Sequence, residues 1–153
     1  MSSEYINREV EKIISNKDYK FPQNLAMTSA WILANFKGIN LKVLDVHEQS
    51  TLADYFVIGS ATNITQAKAM ADEILRQFKK HGYKSISKEG LNDTDWILLD
   101  LGDVIVHIFL ETSRFVYNLD ELWAEAKSIE IPQSYYFSSP EVSEETAATK
   151  HYF

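Results

Sequence analysis

The run Trp96-Ile97-Leu98-Leu99-Asp100-Leu101-Gly102-Asp103-Val104-Ile105-Val106-His107-Ile108-Phe109 leaves this chain few ways to fold. Two apolar stretches, the second rich in β-branched residues, flank Leu101-Gly102-Asp103. A tight turn there needs the positive φ that glycine adopts at no steric cost, so the segment predicts a β-hairpin. Because almost every residue outside the turn is apolar, both faces of the strands must be covered. A hairpin alone cannot achieve that; it needs a sheet to join and further layers to pack on it. Asp100, Asp103 and His107 are the polar exceptions and require a reason.

A chain of 153 residues, 45% of them hydrophobic, supports one substantial core. The net charge of −7 gives no overall attraction to bare nucleic acid or anionic lipid, a local patch excepted, so a protein partner is the better expectation. The absence of cysteine excludes a disulfide framework, a thiolate nucleophile and Cys-ligated zinc. Met1-Ser2-Ser3-Glu4-Tyr5 lacks the basic and apolar regions of a leader. No uncharged apolar stretch approaches the roughly 18 residues of a membrane span. A soluble, cytoplasmic protein is expected.

Along the chain, residues 1–23 form a polar N-terminal extension in which Ile6, Val10, Ile13 and Ile14 predict a short amphipathic helix, packed either on this domain or on a partner. A helix over Asn24 to Lys37 carries Met27, Ala30, Trp31 and Ala34 on one stripe, with Gly38 as its stop. Strands follow at 41–46 and 54–58, and Gly59-Ser60-Ala61-Thr62-Asn63 breaks the second. Asn63 and Gln66 form a capping box for a helix to about Lys80, with Ala67, Ala71, Ile74, Leu75 and Phe78 buried. Lys84 to Lys88 alternates as a half-exposed strand before the hairpin. Asn118 and Glu121 repeat the capping pattern ahead of Leu119, Leu122 and Trp123. From about Lys127 to residue 153 the pattern fails, and a flexible tail is expected unless Tyr135, Tyr136 and Phe137 dock. The order predicts a single layered α/β domain with a mixed sheet and helices packed on it.

Gly59-Ser60, between a strand and a helix, matches the turn with which nucleotidyltransferases approach a triphosphate. Those enzymes also need paired carboxylates on a strand for Mg²⁺, and Asp93 and Asp95 lie instead on a polar loop far along the chain. Asp54, Asp100, Asp103 and His107 share one sheet and could be assembled into a metal or acid/base site. The commoner roles are a turn-forming Asp103 and a structural His107 paired with Asp100 or Asp103. There is no Walker or Rossmann loop and no nucleophile elbow. No catalytic, cofactor or metal residue is assigned. Trp123 suits core or interface equally. Trp96, at the hairpin edge beside a polar loop, suits an interface, since Trp is a typical hot-spot residue.

Ala53-Asp54-Tyr55-Phe56-Val57-Ile58, Gln66 with Ala71-Asp72-Glu73, Glu89-Gly90, Trp96-Ile97-Leu98-Leu99-Asp100, Gly102 to Phe109, and Arg114 with Tyr117, Leu119 and Leu122-Trp123 together resemble the Iojap family, the ribosomal silencing factors. The likeness covers roughly Leu25 to Ala126, within a domain bounded at 24–126. Two positions depart from it: Thr65 stands where many members have arginine, and Leu101 where an aromatic precedes the turn glycine. The resemblance implies a nucleotidyltransferase-like fold without catalysis or cofactor. It further implies binding to the large ribosomal subunit through ribosomal protein fourteen of the universal set, a block on subunit joining, and repression of translation when nutrients are scarce. It also implies a homodimer when free, with no membrane association and no nucleic acid beyond ribosomal contacts. Trp96, Leu99, Asp100, Leu101, Gly102, Asp103, Arg114 and Tyr117 are expected to form the partner-binding surface. A nucleotidyltransferase-like enzyme using Gly59, Ser60, Asp93 and Asp95 is the alternative.

Overall fold

The computed structural model describes residues 2–91 and 95–137. Period-two alternation along the strands sorts side chains onto two faces of one sheet and thereby builds the fold. In chain order the elements are α1 (Ser3–Ile14), α2 (Gln23–Asn35), β1 (Ile39–Asp45), β2 (Tyr55–Ala61), α3 (Ile64–Lys80), β3 (Ser87–Glu89), β4 (Trp96–Asp100), β5 (Val104–Leu110), a 3-10 turn at Glu111–Ser113, α4 (Arg114–Tyr117), α5 (Leu119–Leu122), β6 (Lys127–Ile129) and a second 3-10 turn at Gln133–Phe137. The six strands lie in the order β3-β4-β5-β2-β1-β6. Only β2 and β5 run parallel; the other neighbours are antiparallel. This is the mixed sheet expected of the α/β domain.

On the first face, Val43, Val57, Ala61, Ile97, Leu99, Leu101, Val104, Val106 and Ile108 pack with the buried stripes of the three long helices, including Trp31, Met70, Ile74 and Phe78. α1 lies inside the segment set apart as an extension, and it packs on this domain: Tyr5, Ile6, Val10 and Ile13 all join that core. The second face carries Leu44, Phe56, Ile58, Ile105 and Phe109. It is covered mainly by Leu119, Trp123 and Ala126 of the chain that follows β5.

The hairpin forms as expected. Trp96 faces Phe109 and Asp100 faces Ile105 across the ladder, and Gly102 takes φ +91° in the turn. Other expectations are corrected. β2 does not end before Gly59 but runs through Gly59, Ser60 and Ala61, which pair with Ile108, Phe109 and Leu110 of β5. A Cβ on Gly59 would lie 2.8 Å from Leu41 Cδ2 and 2.9 Å from Leu33 Cδ1, so this glycine admits close packing rather than a break. The left-handed residue that ends α2 is Lys37, with φ +65°, rather than Gly38. At Asn118 the backbone is itself left-handed and the side chain makes no cap; its amide donates to Glu121 instead, and the helix that follows lasts one turn. The Asn63 cap does form, since its Oδ1 accepts the Gln66 N–H at 2.8 Å. The Gln66 side chain accepts the Thr62 N–H at Oε1 and donates from Nε2 to the Phe36 carbonyl, tying α3 to the end of α2.

Residues 127–137, expected to begin a flexible tail, are packed. β6 adds to the edge of the sheet beside β1, and Tyr135 docks, with its carbonyl accepting from Asn35 Nδ2 at 2.8 Å. A three-residue strand is too short to leave a periodic signal, and only the large aromatic hinted at the docking. The rest of the expected tail, 138–153, lies outside the described residues.

Candidate partner-binding site

Trp96, Leu98 and Asp100 of β4 point to the second face, as do Ile105, His107 and Phe109 of β5. Tyr117, one turn beyond β5, reaches back over them. The Trp96 ring stacks on Phe109 with centroids 5.0 Å apart and meets the Tyr117 ring at 4.7 Å. Phe56 stands edge-on to both His107 and Trp123, at 5.1 and 4.9 Å. Half-exposed Trp96 and exposed Tyr117 form the open end of this aromatic row. Next to Tyr117, Phe115, Val116 and Leu122 are 84%, 78% and 72% exposed. Single exposed apolar residues need no explanation, but several large ones on one short segment mark a contact surface.

Asp95 stands at the open end of the row, and Asp100 lies on the same face at the other end of β4. Asp95 accepts from Ser113 Oγ at 2.9 Å and from the Tyr117 hydroxyl at 3.3 Å, which pins the turn after β5 to the start of β4. The Asp95 charge holds the Tyr117 phenol above its ordinary pKa. The turn-former is Asp100 rather than Asp103: Asp100 Oδ1 accepts the Gly102 N–H at 3.0 Å. Asp103 is exposed, and its backbone carbonyl accepts from Asp54 and Tyr55 at the start of β2.

The segment bearing the exposed apolar residues is held to the sheet by Arg114. This guanidinium donates from Nε and Nη2 to both carboxylate oxygens of Asp120, at 2.7 and 3.0 Å. It also donates from Nη1 to Ser60 Oγ at 2.7 Å and from Nη2 to the Asn40 carbonyl at 2.8 Å. Lys42 Nζ lies 2.7 Å from Asp120 Oδ1. The hydrogen bonds from Arg114, reinforced by Lys42, hold the Asp120 carboxyl far below the usual carboxylate range against the opposing effect of burial.

Of the eight residues expected at the partner surface, the structure brings Trp96, Asp100, Gly102, Asp103 and Tyr117 to or near the surface. Leu99 and Leu101 are buried in the first-face core, because odd-numbered positions of β4 face the helices. Arg114 is 5% exposed and spends its donors inside the chain. Phe115 and Val116 were not singled out in the sequence, where their one signal is a pair of adjacent apolar residues inside a short polar connection, and Leu122, expected beside Leu119 and Trp123 on the last helix, is exposed instead.

For the enzyme alternative, the buried hydroxyl of Ser60 is taken by Arg114 and Asp95 by Ser113 and Tyr117, while Gly59 packs on the opposite face of the sheet. Asp93 lies outside the described residues. Among the described residues no cluster of three His, Asp or Glu side chains could hold a metal ion.

His107 pairs with neither aspartate expected of it. Its Nδ1 accepts the Trp96 Nε1–H at 3.2 Å, since Trp96 and His107 are diagonal neighbours on the same face. The ring proton therefore sits on Nε2, which is buried without a hydrogen-bond partner. Burial pushes the pKa down to about 4. Because the folded value lies below the unfolded one of about 6.5, stability is complete above the unfolded value, falls as pH drops, and levels off below the folded value. Denaturant midpoints measured across this window should decline in the parent protein and decline much less in His107→Gln.

Together these features define a class: an α/β domain whose second sheet face is covered by the chain that follows β5 and carries an aromatic row open at Trp96 and Tyr117. The particular family follows from comparison with known proteins. The family described as "Ribosomal silencing factor during starvation" matches residues 20–152, and the chain belongs to it. It is 39% identical over 92 residues to the ribosomal silencing factor RsfS of Haemophilus influenzae, covering 60% of this chain and 90% of that protein. It is 35% identical over 112 residues to the chloroplastic protein Iojap of Zea mays, covering 71% of this chain and 47% of that protein. A crystal structure of a Chromobacterium violaceum protein superposes with a TM-score of 0.65 at 25% identity, covering 72% of this chain and 95% of that one.

Proposed function

We propose that this chain binds the large ribosomal subunit through ribosomal protein fourteen of the universal set, prevents docking of the small subunit, and so represses translation when nutrients are limiting. The observation that carries this reading is the aromatic surface of Trp96 and Tyr117, continued by Phe115, Val116 and Leu122 and edged by Asp95, Asp100 and Asp103. Membership of the silencing-factor family supports it. So does charge: carboxylates around an apolar centre complement the basic surface of a ribosomal protein, which speeds encounter and sets salt dependence. Silencing of this kind needs no chemistry. A rigid body on the joining face excludes the other subunit, and the two compete by mass action. The action is cytoplasmic and non-enzymatic, and in the free protein the same apolar patch supports a homodimer.

Sucrose-gradient sedimentation with purified subunits is the test. The protein is expected to travel with large subunits and to lower the yield of joined ribosomes in proportion to its concentration. Protein remaining at the top of the gradient, with joining unaffected, would overturn the reading.

A further inference from the structure

The net charge of −7 hides a segment of opposite sign. From Arg76 to Lys88 the chain carries Arg76, Lys79, Lys80, Lys84 and Lys88 and no carboxylate. Arg76 is neutralised by Glu73 at 2.6 Å, and nearby His81 engages Glu11 at 2.8 Å. Lys79, Lys80, Lys84 and Lys88 are exposed and make no ion pair among the described residues. Glu89, and Asp100 on the neighbouring strand, are the acidic groups closest along the β3–β4 ladder.

Three of these lysines, Lys79, Lys84 and Lys88, rim a hollow of about 310 Å³ at the C-terminal end of α3, floored by Leu75, Phe78 and Tyr83. The Tyr83 ring lies nearly parallel to Phe21, with centroids 5.9 Å apart and planes 14° apart, and Phe21 is 54% exposed. Cations around a hollow beside an accessible aromatic shelf are the two parts of a single-strand nucleic-acid site, one for the backbone and one for a base. Bulk negative charge does not forbid this, because potentials from distant carboxylates are screened beyond about 8 Å at physiological salt.

We infer that this hollow takes the phosphate backbone of an unpaired strand of ribosomal RNA, with a base stacked on Phe21. The inference rests on the large-subunit reading only for the source of the RNA; it adds a contact separate from the aromatic surface that would meet ribosomal protein.

The test is fluorescence anisotropy with a labelled oligouridine of about 12 nucleotides, using the full chain. Three phosphate contacts predict a logarithmic salt slope of about −2, or about a 20-fold loss of affinity between about 50 and 200 mM salt. The combined variant Lys79→Gln, Lys84→Gln, Lys88→Gln should bind at least ~10-fold more weakly and lose most of that slope. Phe21→Ala should lose about fivefold or more with the slope unchanged. The three lysines are exposed, so the triple variant should keep the parent's thermal midpoint, whereas Phe21→Ala also loses the ring contact with Tyr83 and is compared well below its own midpoint. Absence of saturable binding at the lowest salt, unchanged binding by the triple variant, or equal competition by a polyglutamate peptide would overturn the inference. Sedimentation separates the two readings. Parent protein that travels with large subunits but ignores the oligonucleotide refutes the RNA site alone, whereas protein that binds oligonucleotide but not subunits refutes the ribosomal reading, and with it the ribosomal source of the RNA, but not the strand-binding hollow.

Discussion

Arg114→Ala is expected to lose about 2–3 kcal/mol of stability, less than the ~3–5 kcal/mol of a fully buried ion pair because Asp120 is partly exposed and keeps Lys42. The size follows from what is left behind. Ser60 Oγ, fully buried, and the Asn40 carbonyl lose their donor, and Asp120 keeps only the partly exposed Lys42. The abandoned Ser60 hydroxyl, fully buried, carries a penalty of about 1–3 kcal/mol, whereas the carbonyl of the exposed Asn40 can turn to water at less cost. Arg114→Lys should recover only part of the loss, since an ammonium cannot reproduce a two-pronged bond to Asp120 together with bonds to Ser60 and Asn40. Loss should concentrate on residues 111–126, where amide exchange should accelerate first, because Arg114 is the main polar tie between that segment and the sheet. Acid should mimic the variant. The folded Asp120 pKa lies below the unfolded one of about 3.9, so its stabilisation is present above that value and is lost as pH falls through it toward the folded value. In Arg114→Ala this acid-induced loss should shrink. A thermal midpoint equal to the parent's would show that the Arg114 network contributes nothing net.

The contrast between what the sequence disclosed and what it hid follows the range of the interactions involved. The hairpin was legible because its causes are local: two apolar runs and a glycine where the turn needs φ above zero. The helix cap at Asn63 was legible for the same reason. Arg114 was not, because its partners Ser60 and Asn40 are brought to it only by sheet pairing, 54 and 74 positions away. Gly59-Ser60 looked like a break because propensity sees a small flexible pair. The parallel partner β5 supplies their ladder bonds, and Leu33 and Leu41 fill the space a side chain would occupy. His107 could have been paired correctly by extending the hairpin register from Gly102, which places Trp96 diagonally across from it; proximity in sequence pointed to Asp100 or Asp103 instead. The site followed the same logic. In the candidate site the hairpin residues and Tyr117 were named from the sequence, whereas the exposure of Phe115, Val116 and Leu122 depends on a tether that no single sequence shows.

Trp96 tests whether this surface is an interface or a lid over the second core. It is half buried: one side of its indole stacks on Phe109 and its N–H supports His107, so truncation affects folding as well as binding. Trp96→Ala is therefore expected to lower the thermal midpoint and, measured well below that midpoint, to weaken binding to large subunits by about thirtyfold or more, the effect of removing an aromatic hot spot worth about 2 kcal/mol. Trp96→Phe keeps an aromatic ring on Phe109 and removes the hydrogen bond to His107, so it should regain most of the affinity while remaining less stable than the parent. Neighbouring positions separate the two roles. Phe115→Ser removes an almost fully exposed ring, and Tyr117→Ala a partly exposed one, so at Phe115 in particular binding should fall with the midpoint nearly unchanged. Asp100→Asn preserves an oxygen for the Gly102 N–H while removing the charge, so the turn should persist and the association rate should lose part of its salt dependence. If Trp96→Ala and Phe115→Ser both bind within twofold of the parent at low temperature, the aromatic row is a lid over the second core, and the ribosomal surface lies elsewhere on the molecule.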